Sequence, residues 1–125
     1  MRIQSLAIAN YATIDQGGKP VIAGIYNHVE IKKNQSDLFG YVWVDVIEIS
    51  KPERLFFRIK LDNKDYIEPV PFTVNVGETK RHHIIINISD INGLSLKYEK
   101  KGIYFFEVWH KNKKLASTEV LVEDK

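Results

Sequence analysis

Apolar and polar positions alternate with a period of two along most of this 125-residue chain. In Leu55-Phe56-Phe57-Arg58-Ile59-Lys60-Leu61, positions 55, 57, 59 and 61 fall on one face and Arg58 and Lys60 on the other, the pattern of a half-buried strand. Phe39 to Ile49 reads as a longer strand in which Val42, Val44 and Val46 alternate with Tyr41, Trp43 and Asp45. One of its faces is aliphatic and the other amphipathic. Continued along the chain, the pattern predicts eight strands, near 2–9, 20–31, 39–49, 54–61, 66–76, 82–89, 102–110 and 115–122. Turn residues separate them, as in Asp15-Gln16-Gly17-Gly18, Asp62-Asn63-Lys64-Asp65 and Lys111-Asn112-Lys113-Lys114, because Gly accepts positive φ and Asn or Asp bonds its own backbone. Segment 90–101 departs from the pattern: Ile91, Leu94 and Leu96 have near-helical spacing, which predicts a helical turn or a corner across the end of the molecule.

Short strands without interleaved helices bury their apolar faces by stacking two antiparallel sheets. The expected fold is therefore all-β, a single β-sandwich domain over residues 1–125, immunoglobulin-like or C2-like. These local patterns do not choose between the two strand orders. The run Ile84-Ile85-Ile86 requires cover on both faces or a contact with another copy.

Composition supports the strand reading, since Ile and Val together number 27 against 13 for Leu and Ala, and β-branched side chains favour the pleated surface. With 44% hydrophobic residues the chain is an ordinary globular sequence rather than a disordered one. Its apolar runs are only a few residues long, far below the ~20 that span a bilayer as a helix. The absence of cysteine excludes disulfides, iron–sulfur clusters, a cysteine nucleophile and thiolate zinc. Leu6-Ala7-Ile8-Ala9 is too short for a secretory signal, so a cytoplasmic protein is expected. A net charge of +2 supplies no field that demands nucleic acid or an anionic membrane.

Candidate chemistry is sparse. His82 and His83 are sequential and point to opposite faces of a strand, whereas metal sites gather imidazoles from alternate positions; His28 and His110 stand apart, and no metal or cofactor is expected. The serines lack a nucleophile-elbow motif, and Gly17-Gly18-Lys19 reads as a hairpin turn rather than a phosphate loop. Asp62 and Asp65, with Asp37 and Asp90 on other loops, suggest a calcium cradle, but Lys64 places positive charge where calcium needs oxygen. Catalysis is therefore not expected.

The aromatic residues carry more weight. Tyr41, Trp43, Phe56, Tyr104, Phe106 and Trp109 lie on strands, where rings either fill a core or form a stacking platform. Tyr41 and Trp43 oppose the valine face of their strand and are the preferred interaction surface, with Trp109 next. A basic patch is expected from Lys97, Lys100, Lys101, Lys111, Lys113 and Lys114, at one end of the molecule. Lysines at turns and edges also guard strands against edge pairing.

Two stretches are similar to a family of small uncharacterised bacterial and phage proteins. The first is Leu6-Ala7-Ile8-Ala9-Asn10-Tyr11-Ala12, with Asp15-Gln16-Gly17-Gly18-Lys19 and Val21-Ile22-Ala23-Gly24-Ile25-Tyr26. The second is Gly102, Tyr104, Phe106 and Val108 at alternate positions, then a turn, Leu115-Ala116, and Leu121 beside Val122. The resemblance implies a β-sandwich and no activity.

The sequence thus leads to a non-enzymatic protein that binds another protein or itself, through sheet edges or the Tyr41/Trp43 face. A small-ligand module of glycan type, with Trp43 or Trp109 stacking on a ring, is the alternative. Weak nucleic-acid binding through the lysines between 97 and 114 is third.

Overall fold

The computed structural model describes residues 1–32, 37–88, 91 and 97–125. Twelve strands are present among them: β1 (Arg2–Ile14), β2 (Pro20–Ile25), β3 (His28–Ile31), β4 (Asp37–Leu38), β5 (Tyr41–Ile47), β6 (Glu53–Leu61), β7 (Lys64–Asp65), β8 (Val70–Val74), β9 (His82–Asn87), β10 (Lys97–Tyr98), β11 (Gly102–His110) and β12 (Lys113–Asp124). They form a four-stranded sheet in the order β2-β1-β5-β9 and a larger sheet in the order β3-β12-β11-β6-β7, with β8 also pairing β6. β10 and β4 make a short separate ladder. The two sheets pack together as a β-sandwich.

The core follows from the alternation. Val42, Val44 and Val46 of β5 and Ile8 of β1 face Leu55, Phe57 and Ile59 of β6, Tyr104, Phe106 and Val108 of β11, and Val120 of β12, all buried. At one end Phe39 packs edge-on against Tyr98, Tyr104 and Phe106. The Tyr26 and Tyr98 hydroxyls hydrogen-bond at 2.9 Å, and the Gly40 amide donates to Tyr26 Oη at 3.1 Å. Burial raises the Tyr98 hydroxyl well above the ordinary tyrosine range and the Tyr104 hydroxyl to about 12, since a phenolate there would lose its hydration.

The strand bounds differ from the sequence reading in instructive ways. The stretch expected as one strand over 20–31 changes sheets at Tyr26-Asn27, so β2 pairs β1 while β3 pairs β12 in parallel. Asp62 and Asn63 both have positive φ, 53° and 62°, the two-residue turn geometry that suits the twist of a hairpin. Asp62-Asn63 is thus the β6–β7 turn, and Lys64 and Asp65 form β7. Asp90 and residues 92–96 of the expected corner at 90–101 lie outside the described residues, while Lys97–Tyr98 is a strand paired with Asp37–Leu38. Ile84 and Ile86 pack against the core and all three isoleucines of the run are half-buried, on an edge strand.

One departure shapes the surface. Ala9 pairs both Ile25 and Tyr41, and β1 then runs on past β5 with only β2 beside it. If flat, the hairpin tip would lie about 30 Å from the row of Asp45 and His83, at about 3.4 Å per residue. Instead Ile14, Gly17 and Gly18 line an open depression of about 640 Å³ together with Thr79, Arg81, His82 and His83. The hairpin therefore folds back across the outer face of its own sheet. Gly24, opposite Asn10, marks the bend: its φ is +70°, and a Cβ there would lie 2.5 Å from Asn10 Nδ2. Glycine is the residue that accepts such a kink within a strand. Ala9 and Ala12 are buried without belonging to the central core cluster.

Candidate interaction surfaces

Tyr41, Trp43 and Asp45 point away from the valine core onto the outer face of the four-stranded sheet. Trp43 is half-buried there. Its indole Nε1–H donates to His83 Nδ1 at 3.2 Å, and the two rings are nearly parallel with centroids 6.0 Å apart. That hydrogen bond requires a lone pair on Nδ1, so the His83 ring carries its proton on Nε2 in this arrangement. Asp45, only 4% exposed, lies 3.2 Å from Arg81 Nε and 3.5 Å from His83 Nδ1. Its Oδ1 has no hydrogen-bond partner, so the Arg81 contact is an ion pair off the N–H axis. Tyr41 meets Tyr11 of the folded-back hairpin edge-on at 5.5 Å.

His82 faces the other way along β9. Its Nδ1 accepts the Asn75 amide at 3.2 Å. Burial and then the neighbouring His83 lower its pKa from the ordinary histidine value, because both disfavour the charged ring.

A matching cluster occupies the outer face of the larger sheet. Trp109 Nε1–H donates to Glu107 Oε1 at 2.9 Å, and Glu107 is 4% exposed. Lys60 Nζ lies 3.7 Å from Oε1 and Lys114 Nζ 3.5 Å from Oε2. The Arg58 guanidinium covers the Trp109 ring at 4.8 Å, a favourable cation–π distance. Arg58 Nε is buried without a hydrogen-bond partner.

Both tryptophans thus belong to outer faces: Trp109 bonds the buried Glu107 two residues away, and Trp43 bonds His83, which lies 3.5 Å from the buried Asp45. The sequence reading treated the rings alone and missed Asp45 and Glu107. The spacing Trp43-x-Asp45 and Glu107-x-Trp109 was the available sign, since alternate strand positions share a face.

The six lysines are not brought together. Lys97, Lys100 and Lys101 lie at the start of β11, whereas Lys111, Lys113 and Lys114 lie at its far end. The nine residues of β11 separate the groups by roughly 27 Å, so the expected basic patch at one end divides into two. Lys101 pairs with Asp124 at 2.6 Å. The other histidines are also apart, His28 bonded to Glu123 at 2.8 Å and His110 to Glu53 at 3.0 Å.

Among the described residues, the most apolar surface is the hairpin. Four of the seven large hydrophobic side chains exposed among the described residues lie on it: Tyr11 at 50%, Ile14 at 38%, Val21 at 46% and Ile25 at 65%. No charged side chain occurs from Ala9 to Ile14 or from Pro20 to Ile25, and β2 is an edge of its sheet. An uncharged apolar edge strand is the feature that proteins ordinarily blunt unless a partner covers it.

No helix among the described residues is long and apolar enough to cross a membrane. No protein-family model matches this sequence, and no curated protein matches it.

Proposed function

We propose that the protein acts by binding protein rather than by catalysis, and that its contact is the β1–β2 hairpin, pairing with a second copy of the chain. The observation that carries this reading is the concentration of exposed apolar residues on an uncharged edge strand. Two such edges related by a two-fold axis oppose no like charges, and each supplies the backbone groups that the other lacks. The Tyr41/Trp43 face contributes at the hairpin's margin, through the Tyr11–Tyr41 contact. The reading places the protein in the cytoplasm, where a fold without disulfides is the ordinary case.

Sedimentation velocity from about 1 to 100 µM tests it with wild type and Ile25→Lys. Ile25 is mostly exposed, so the variant keeps its fold. A wild-type dimer that becomes monomeric in Ile25→Lys is the expected result. A wild type that is monomeric throughout, and that captures no partner lost in Ile25→Lys, overturns the reading.

A further inference from the structure

On the other sheet, away from the hairpin, Lys60, Asn63, Phe105, Glu107, Trp109 and Lys114 line an open depression of about 350 Å³. Phe105, Glu107 and Trp109 come from alternate positions of β11, while Lys60 is the cross-strand neighbour of Phe105 and Lys114 that of Trp109. One carboxylate, Glu107, meets Lys60 and Lys114, and a third cation, Arg58, is its cross-strand neighbour on β6. Arg58 has no carboxylate within 4 Å among the described residues, and its guanidinium lies over Trp109. The cluster therefore has two positive charges in excess.

The lysine contacts to Glu107, at 3.7 and 3.5 Å, are longer than the roughly 2.8 Å of a charge-assisted hydrogen bond. Each ammonium group carries three donors, so both keep donors for a ligand. The Asn63 amide adds a further polar group, and Phe105 and Trp109 supply the apolar part of the lining.

We infer that this depression binds a phosphate monoester whose organic part carries an aromatic ring, the phosphate between Lys60 Nζ and Lys114 Nζ and the ring against Phe105. A phosphate monoester has its second ionisation near pH ~6 and is mostly dianionic at neutral pH, which matches the excess charge. The ring accounts for the apolar part of the lining, which a bare anion leaves unused. Glu107 competes with the ligand for both ammonium groups, so it sets the affinity in the opposite sense to the lysines.

The test is titration of the ¹⁵N-labelled protein with adenosine 5′-monophosphate and with phenyl phosphate, against inorganic phosphate and adenosine, following the Trp109 indole N–H. At least one ring-bearing ester should bind about tenfold tighter than either control. The tighter of the two identifies the source, a nucleotide or a phosphorylated aromatic. Lys60→Ala and Lys114→Ala should each weaken binding about tenfold, Lys97→Ala should leave it unchanged, and Glu107→Gln, which keeps the oxygen that accepts from Trp109, should tighten it. No shift at about 5 mM of either ester, equal affinity for inorganic phosphate, undiminished binding in the lysine variants, or weaker binding in Glu107→Gln overturns the inference.

Discussion

Replacing Tyr26 with Phe removes one oxygen and breaks a junction between three segments. That hydroxyl accepts from the buried Gly40 amide at the entry to β5 and hydrogen-bonds Tyr98 of β10, while Tyr26 itself stands where the chain passes from β2 to β3. The substitution leaves two buried polar groups without this partner, the Gly40 N–H and the Tyr98 hydroxyl. An orphaned buried group costs about 1–3 kcal/mol, so Tyr26→Phe is expected to destabilise by about 2–4 kcal/mol. Tyr98→Phe keeps the Gly40 bond and costs only about 1 kcal/mol. The double variant lacks the Tyr98 hydroxyl and is expected to be no less stable than Tyr26→Phe alone. Urea unfolding of the four proteins measures the cycle. The total stability of such a domain is about 5–15 kcal/mol, so the variants stay folded in water. A Tyr26→Phe loss below about 0.5 kcal/mol, or strictly additive effects, would refute the reasoning.

The hairpin bend gives a second prediction: Gly24→Ala is expected to lower thermal stability more than Gly18→Ala. Both have positive φ, which costs a side-chain-bearing residue about 1–2 kcal/mol, but a Cβ at Gly24 also meets Asn10 whereas Gly18 has nothing within 4 Å; equal losses would show that the Asn10 contact is immaterial. The lowered pKa of His82 gives a third. Its folded value lies below the unfolded ~6.5, so the unfolded chain takes up the proton first, and stability present above that pH is lost as the pH falls toward the folded value. The urea midpoint should therefore drop between about pH 7.5 and 5, and His82→Asn, whose amide oxygen can still accept from Asn75, should show a shallower drop. An identical slope in the variant would assign the acid sensitivity to other groups.

Much of this architecture was legible as alternation. Val42, Val44 and Val46 set against Tyr41, Trp43 and Asp45 identify both faces of β5, and Leu55 to Leu61 do so for β6. What periodicity does not record is direction in space. The apolar stretch from Pro20 to Tyr26 passes straight into the alternating Val29 and Ile31 without a Gly or Pro turn between them, so its period does not mark the move from one sheet to the other. Gly24 is a strand glycine in sequence and a bend only because Asn10 lies opposite. The lysines from 97 to 114 are close in sequence, and it is the extended β11 that carries them apart. Asp45 and Glu107 were readable as neighbours of tryptophans, but their burial depends on cations from other strands, Arg81 beside β9 and Lys60 and Lys114 on β6 and β12.

The parallel pairing of β3 with β12 has a consequence for how the molecule assembles. His28 to Ile31 find their partners in Leu121 to Asp124, almost the whole length of the chain away. Contacts this distant in sequence slow folding, because the loop must close before pairing rewards it. During synthesis β1 and β2 emerge and can pair at once, while β3 waits for residues translated long after it. The apolar hairpin is thus available to a neighbouring nascent chain before its own sandwich is closed.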